Sequence, residues 1–221
     1  MSCCQCQGIE RLFDRREAQR KLDAYARHGP DRTTRLMLDA VKAAGVEGAT
    51  LLDIGGGVGV AQLELLAAGV RGATDVDASS AYLDVAREEA RRRGYGEQVS
   101  YRHGDFVALA PEIEPADIVT LDRVICCYHD MRALVRASAA KARRLYGLVY
   151  PRDAWWTRGY SATENMVFRV RRHSYRSFVH PTRLVDAVVR GAGLERRALH
   201  QGAFWQVVLY VRPEISSRRD A

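Results

Sequence analysis

The segment Leu51-Leu52-Asp53-Ile54-Gly55-Gly56-Gly57-Val58-Gly59 constrains this chain more than any other. A short apolar run meets an acid, and glycines then recur at every second position. Glycines so spaced let the backbone turn tightly and approach a ligand with no Cβ in the way. The pattern predicts a strand, a ligand-facing turn and a helix. It is not the dinucleotide fingerprint G-x-G-x-x-G, because the third glycine would fall at Val60 counted from Gly55, or at Gln62 counted from Gly57.

The rest of the chain repeats this rhythm. Two helices are expected first, Ile9 to His28 and then one capped by Asp31 and ended before Gly45. Strands follow at Ala49–Ile54, Val70–Asp77, Val99–His103, Ala116–Leu121 and Leu145–Tyr150, with helices at Val60–Ala68, Ser79–Arg93 and Asp130–Arg143. Alternation of this kind means a parallel sheet with helices on both faces. A helix from Pro181 to about Arg190 precedes two last strands, Leu194–Leu199 and Phe204–Val211, read as an antiparallel hairpin. The fold expected is a single α/β domain with a Rossmann-like doubly wound sheet. Residues 1–45 form a helical cap, 46–150 the cofactor-binding core, 151–180 a substrate lid, and 181–212 the last helix and hairpin. The lid, Arg152 to Val179, reads as a long loop that carries Trp155, Trp156, Tyr160, Tyr175 and Phe178.

Three acids stand at the carboxyl ends of consecutive strands. Asp53 precedes the glycine turn. Asp77, with Ala78 after it, ends the second strand, where an acid can accept both ribose hydroxyls of a nucleoside. Gly104-Asp105-Phe106 ends the third. Each acid alone is more often a helix cap or turn residue. Three facing one crevice point to a ligand site, since open α/β sheets bind ligands there. Asp122 and Arg123, at the end of the fourth strand, are assigned to the same site.

The G-x-G-x-G turn formed by Gly55, Gly57 and Gly59, with Asp77 and Asp105, resembles class I S-adenosylmethionine-dependent methyltransferases over about Ala49 to Tyr150. The resemblance implies that the turn packs on the methionine part of S-adenosyl-L-methionine. It also implies that Asp105 receives the adenine amine while Phe106 packs on the ring. A weaker resemblance, spread along the chain, is to magnesium-protoporphyrin O-methyltransferases. It rests on Tyr25 at the end of an N-terminal helix, on Phe204-Trp205, and on Arg183 beside His180-Pro181. That family places a histidine before a tyrosine after the fourth strand; here Val124-Ile125-Cys126-Cys127-Tyr128-His129 puts Cys127 in the histidine's place. The Asn/Asp-Pro-Pro-Tyr/Phe motif of many amino-group methyltransferases is absent, with Asp122-Arg123-Val124-Ile125 standing there. The function implied is methyl transfer to a small molecule, at oxygen. A carboxylate acceptor needs no base; for a hydroxyl, His129 or His180 can serve, with Tyr128 shaping the pocket.

Charge and cysteine usage bound the alternatives. The net charge of +7 comes from arginines spread along the chain, densest at Arg169, Arg171, Arg172, Arg176 and Arg183. Such a stretch can bind nucleic acid, hold small carboxylates, or simply face solvent. A nucleic-acid methyltransferase and a catalytically silent cofactor-binding fold are therefore the rival readings, and nucleic acid is disfavoured as a partner. No apolar run approaches a membrane span and Met1–Gln7 is polar, so a cytoplasmic location is expected by default. The five cysteines, Cys3, Cys4, Cys6, Cys126 and Cys127, include no C-x-x-C pair, so no metal site is assigned.

Overall fold

The computed structural model describes residues 4–213, with side chains from Gly8 onward. Three helices come first: α1 (Cys4–Leu12), α2 (Arg15–His28) and α3 (Arg32–Ala43). The alternating part then runs β1 (Thr50–Ile54), α4 (Val60–Leu66), β2 (Gly72–Asp77), α5 (Ser80–Arg92), β3 (Val99–His103), α6 (Phe106–Leu109), β4 (Ala116–Asp122), α7 (Met131–Lys141) and β5 (Ala142–Pro151). It closes with α8 (Trp155–Val170), α9 (Thr182–Gly191), β6 (Glu195–Gln201) and β7 (Trp205–Val211).

One seven-stranded sheet has the order β3-β2-β1-β4-β5-β7-β6. The first five strands pair in parallel; β7 runs antiparallel between β5 and β6. The strand order reverses between β1 and β4, which opens a crevice at their carboxyl ends. Alternation along the strands builds two helix-covered faces. On one, Leu52, Ile54, Tyr146, Leu148, Tyr150, Val208 and Tyr210 pack with α7 and α9. On the other, Leu51, Ile118, Leu145, Val149, Val207 and Leu209 pack with α2, α3 and α4. Each fully buried Leu or Ile contributes about 1.5–3 kcal/mol. At Gly147 of β5 the α3 side chain Met37 comes so near that a Cβ would lie 3.2 Å from its Cγ, which seats α3 hard on the sheet. The edge strand β6 exposes all seven residues, among them Glu195, Arg196, Arg197 and His200, and this polar edge discourages pairing with another chain.

Two expectations need correction. The helix foreseen from Ile9 to His28 is two helices, broken at Phe13-Asp14. Asp14 caps α2 by accepting from the Glu17 N–H at 2.9 Å, and Ser79 Oγ donates to the freed Phe13 carbonyl at 2.7 Å. The break bends α1 over the crevice. The second correction is the lid, which is not a loop: residues 155–170 form α8. Its inward face is held chiefly by hydrogen bonds, with Phe168 packed edge-on against Tyr175. Ser161 Oγ donates to the Ser177 carbonyl (2.9 Å), as does Asn165 Nδ2 (2.7 Å), and the Ser177 N–H returns to Asn165 Oδ1. Only the segment after it, to Pro181, lacks regular structure.

Candidate functional site

The crevice is a cavity of about 750 Å3. Its nucleoside side is built from backbone turns. Gly55 (φ +64°) and Gly57 (φ +60°) take left-handed conformations that favour glycine. Gly56 lies against carboxylates, since a Cβ there would sit 2.6 Å from Asp75 Oδ1 and 2.7 Å from Asp53 Oδ2. Asp53 is fully buried and accepts from Thr120 Oγ1 (2.7 Å) and Gln62 Nε2 (3.2 Å). Burial outweighs these bonds and pushes its carboxyl up to about 6. Asp75, beside it, is held well above the carboxylate range, first by burial and then by Asp53. Neither Asp75 oxygen has a hydrogen-bond partner; the Gln62 amide and Gly56 N–H lie near without the geometry for one. Gly59 does not line the cavity: it starts α4 in a left-handed turn and packs on Ala86, so its role is local.

Asp77 receives backbone donors on both oxygens, from Ser79 (2.8 Å on Oδ1) and Gly57 (3.1 Å on Oδ2). A carboxylate has about four acceptor positions, so two remain for hydroxyls in the cavity. Burial raises its pKa, opposed by those N–H groups. Ala78, Gly104, Asp105 and Phe106 line the same side. Asp105 caps α6 through Val107 N–H (3.0 Å), and Tyr128 Oη donates to both its oxygens at 3.0 Å. The third strand's acid is thus both a cap and a cavity residue.

Asp122 and Arg123 line the cavity where the end of β4 meets the start of α3. Arg123 adopts φ +62°, rare for a residue with a side chain, and is held there by Asp31 (2.6 Å) and Asp122 (3.0 Å). Thr34 of α3 donates to Asp122. Tyr25 lines the cavity while its hydroxyl donates to Glu64 (3.0 Å) and accepts from Arg93 (3.1 Å). Burial, then Glu64, raises that phenol to about 12.

The other side of the cavity is made of side chains, several of which sequence reasoning missed. Phe13 and Ile9 come from the bent N-terminal segment, Glu164 from α8, and Cys126, Cys127 and Tyr175 from the loops. Cys127 Sγ and Tyr175 Oη stand 3.1 Å apart, and Cys126 Sγ is 3.9 Å from Cys127 Sγ. Contact with Cys127, then burial, pushes the Cys126 thiol up. Phe13 meets Tyr82 and Tyr175 edge-on at 5.5 and 6.0 Å, closing a roof. Tyr128 belongs to this wall, but His129 and His180 do not. His129 is exposed and stacks on Tyr128 (5.5 Å), and His180 Nε2 donates to the Tyr128 carbonyl at 2.9 Å. Desolvation lowers the His180 pKa, opposed by its bond to the Tyr128 carbonyl. The expectation that either histidine faces an acceptor as a base is thereby corrected. Cys3 lies outside the described residues, and the side chains of Cys4 and Cys6 are not among those described. Among the described residues no three His, Cys, Asp or Glu side chains are grouped to hold a metal ion.

Residues 51–145 match the family model described as a methyltransferase domain. That segment is therefore a methyltransferase domain, of a family that uses S-adenosylmethionine, and the chain is an enzyme of that class. The fold agrees. Magnesium protoporphyrin IX methyltransferase from Synechocystis PCC 6803, solved with SAH, superposes with a TM-score of 0.68 at 18% identity, over 93% of this chain and 98% of that one. Its SAM-bound form gives 0.68 at 17%, over 95% and 97%. An O-methyltransferase family protein from Burkholderia thailandensis gives 0.68 at 22%, over 93% of this chain and 63% of that one. No curated protein matches the sequence. Among the described residues no helix is long and apolar enough to cross a membrane.

Proposed function

We propose that the chain methylates a small molecule at oxygen, and that a carboxylate is the acceptor group. The observation that carries this reading is the form of the cavity. One volume of about 750 Å3 runs from the Asp77 side to the Tyr128, Cys127 and Tyr175 wall, under a roof of Phe13 and Ile9. That size suits a nucleoside with a small acceptor beside it, whereas a nucleic acid needs an open groove.

The residues fit S-adenosylmethionine. Asp77 keeps free acceptor positions for the ribose hydroxyls, and the Asp105 carboxylate can share an adenine amine with Tyr128. The glycine turn leaves room for the methionine part. When bound, the sulfonium supplies an electrophilic methyl for in-line displacement. The protein's share is alignment and exclusion of water. Phe13, Tyr82 and Tyr175 close the site above, and Tyr128 is oriented through its hydroxyl on Asp105. His180 acts as a positioning residue by fixing the Tyr128 carbonyl. A carboxylate is already ionised near neutral pH, which agrees with a wall that both histidine candidates leave. Lys21, on the same lining, supplies positive charge for an anion.

The test is to incubate the protein with methyl-deuterated S-adenosylmethionine and a small-molecule extract, then search by mass spectrometry for labelled species. A labelled metabolite whose label is released by mild alkali, as from a methyl ester, supports the proposal. Label found only on nucleic acid or protein overturns it.

A further inference from the structure

Most of the exposed large apolar side chains of the described residues belong to one helix. On α8, Trp155 is 81% exposed, Val170 76%, Tyr160 58% and Met166 58%, with Trp156 and Val167 also open to solvent. At 3.6 residues per turn these six positions fall within an arc of about 140°. The opposite arc carries Thr157, Ser161 and Asn165, which bond to neighbouring backbone, and Glu164, which faces the cavity. A helix normally turns its apolar stripe to the core. Here the core side is mostly polar, with Phe168 its one large apolar residue. Tyr160 meets Phe204 edge-on at 5.2 Å and Trp156 Nε1 donates to the Ala203 carbonyl at 2.8 Å, but Trp155, Met166 and Val170 stay largely exposed, so packing in this chain does not account for the outward stripe.

The charges beside the stripe indicate what covers it. Arg158 and Arg169 flank one edge, and Arg171 and Arg172 follow the helix end, all exposed. Arg152 lies over the Trp156 ring at 5.7 Å. The only acid within α8 is Glu164, and Asp153 just before it is paired with Arg158 at 2.7 Å. A second copy of this helix would offer those arginines no carboxylate. An anionic lipid surface offers phosphate to the arginines and an interface in which tryptophan and tyrosine rest favourably.

We propose that α8 docks in the plane of an anionic bilayer surface, with Trp155, Tyr160, Met166 and Val170 in the headgroup boundary. The inner side of the same helix walls the cavity, since Phe168 meets the lining residue Tyr175 edge-on at 5.2 Å. Docking therefore sets the acceptor side of the site against lipid. This inference stands on α8 alone and does not depend on the acceptor proposed above.

The test uses the full chain and vesicles of phosphatidylcholine, alone or mixed equally with phosphatidylglycerol. Binding should be at least about tenfold tighter to the mixed vesicles and should weaken with salt. Brominated phosphatidylcholine in the mixture should quench tryptophan fluorescence. The double variant Trp155→Glu/Val170→Glu should lose the binding while its thermal melt and SAH affinity stay unchanged. Arg169→Glu/Arg171→Glu should lose the preference for anionic lipid. Equal binding to both vesicles, or full binding by the glutamate variant, overturns the proposal. So does a lipid-free dimer that the glutamate variant converts to monomer.

Discussion

The two sides of the cavity are built on different plans. The nucleoside side consists of strand ends, glycine turns and acids anchored by backbone N–H groups, as at Asp77 with Gly57 and Ser79. The acceptor side consists of side chains from distant segments, as where Cys127 meets Tyr175 across 48 positions of chain. A site made from backbone geometry is fixed by the sheet and serves any chain with this fold. A wall assembled from α1, α8 and loops can change without disturbing the sheet. This contrast predicts that substitutions on the two sides will separate cofactor binding from acceptor handling.

The largest effect should come from Asp77→Ala. Loss of its hydrogen bonds should weaken SAH binding by roughly 1–3 kcal/mol by calorimetry, with the acceptor KM little changed. An unaltered affinity would detach Asp77 from the site and erase the contrast. Next is a stability effect beneath the glycine turn. Asp53 and Asp75 have raised pKa values, so their stabilising contribution is complete below the ordinary 3.8 and is lost as pH climbs, through about 6 for Asp53. Asp75→Asn, which is neutral at every pH, should therefore be more stable than the parent at pH 8, by about 1–3 kcal/mol, and this advantage should narrow towards pH 5. Denaturant titrations at the two pH values measure this, and an advantage that grows on acidification would refute the burial argument.

On the acceptor side, Tyr175→Phe removes the hydroxyl beside Cys127. It should raise the acceptor KM by a factor corresponding to about 0.5–1.5 kcal/mol while leaving SAH affinity intact. Steady-state kinetics beside calorimetry would separate the two; a fall in SAH affinity alone would blur the boundary. Tyr128→Phe should give the smallest change, because Asp105 keeps its Val107 donor. A shift in SAH affinity larger than that of Asp77→Ala would move the adenine end of the site onto Tyr128.

The contrast also explains what was legible in the sequence. The glycine turn and the strand-end acids are local features, so β1, β2 and β3 could be placed within a few residues. The N-terminal break had a signal too: Asp14 stands three before Glu17, the spacing of a helix start. The helix α8 had none of the usual kind, since its apolar stripe points outward and hydrogen bonds to Ser177 do the anchoring. Cys127 was noticed as a departure from a pattern, yet its contact with Tyr175 arises only when the chain folds. Position alone put His129 and His180 near the acceptor, and position does not fix where a side chain faces.

The most direct test of the account is calorimetric titration of SAH and, separately, NADH into the purified chain and its Asp77→Ala variant. The parent should show one saturable SAH site, the variant a markedly weaker one, and neither should bind NADH. No SAH binding by the parent, or NADH bound in preference, would contradict it.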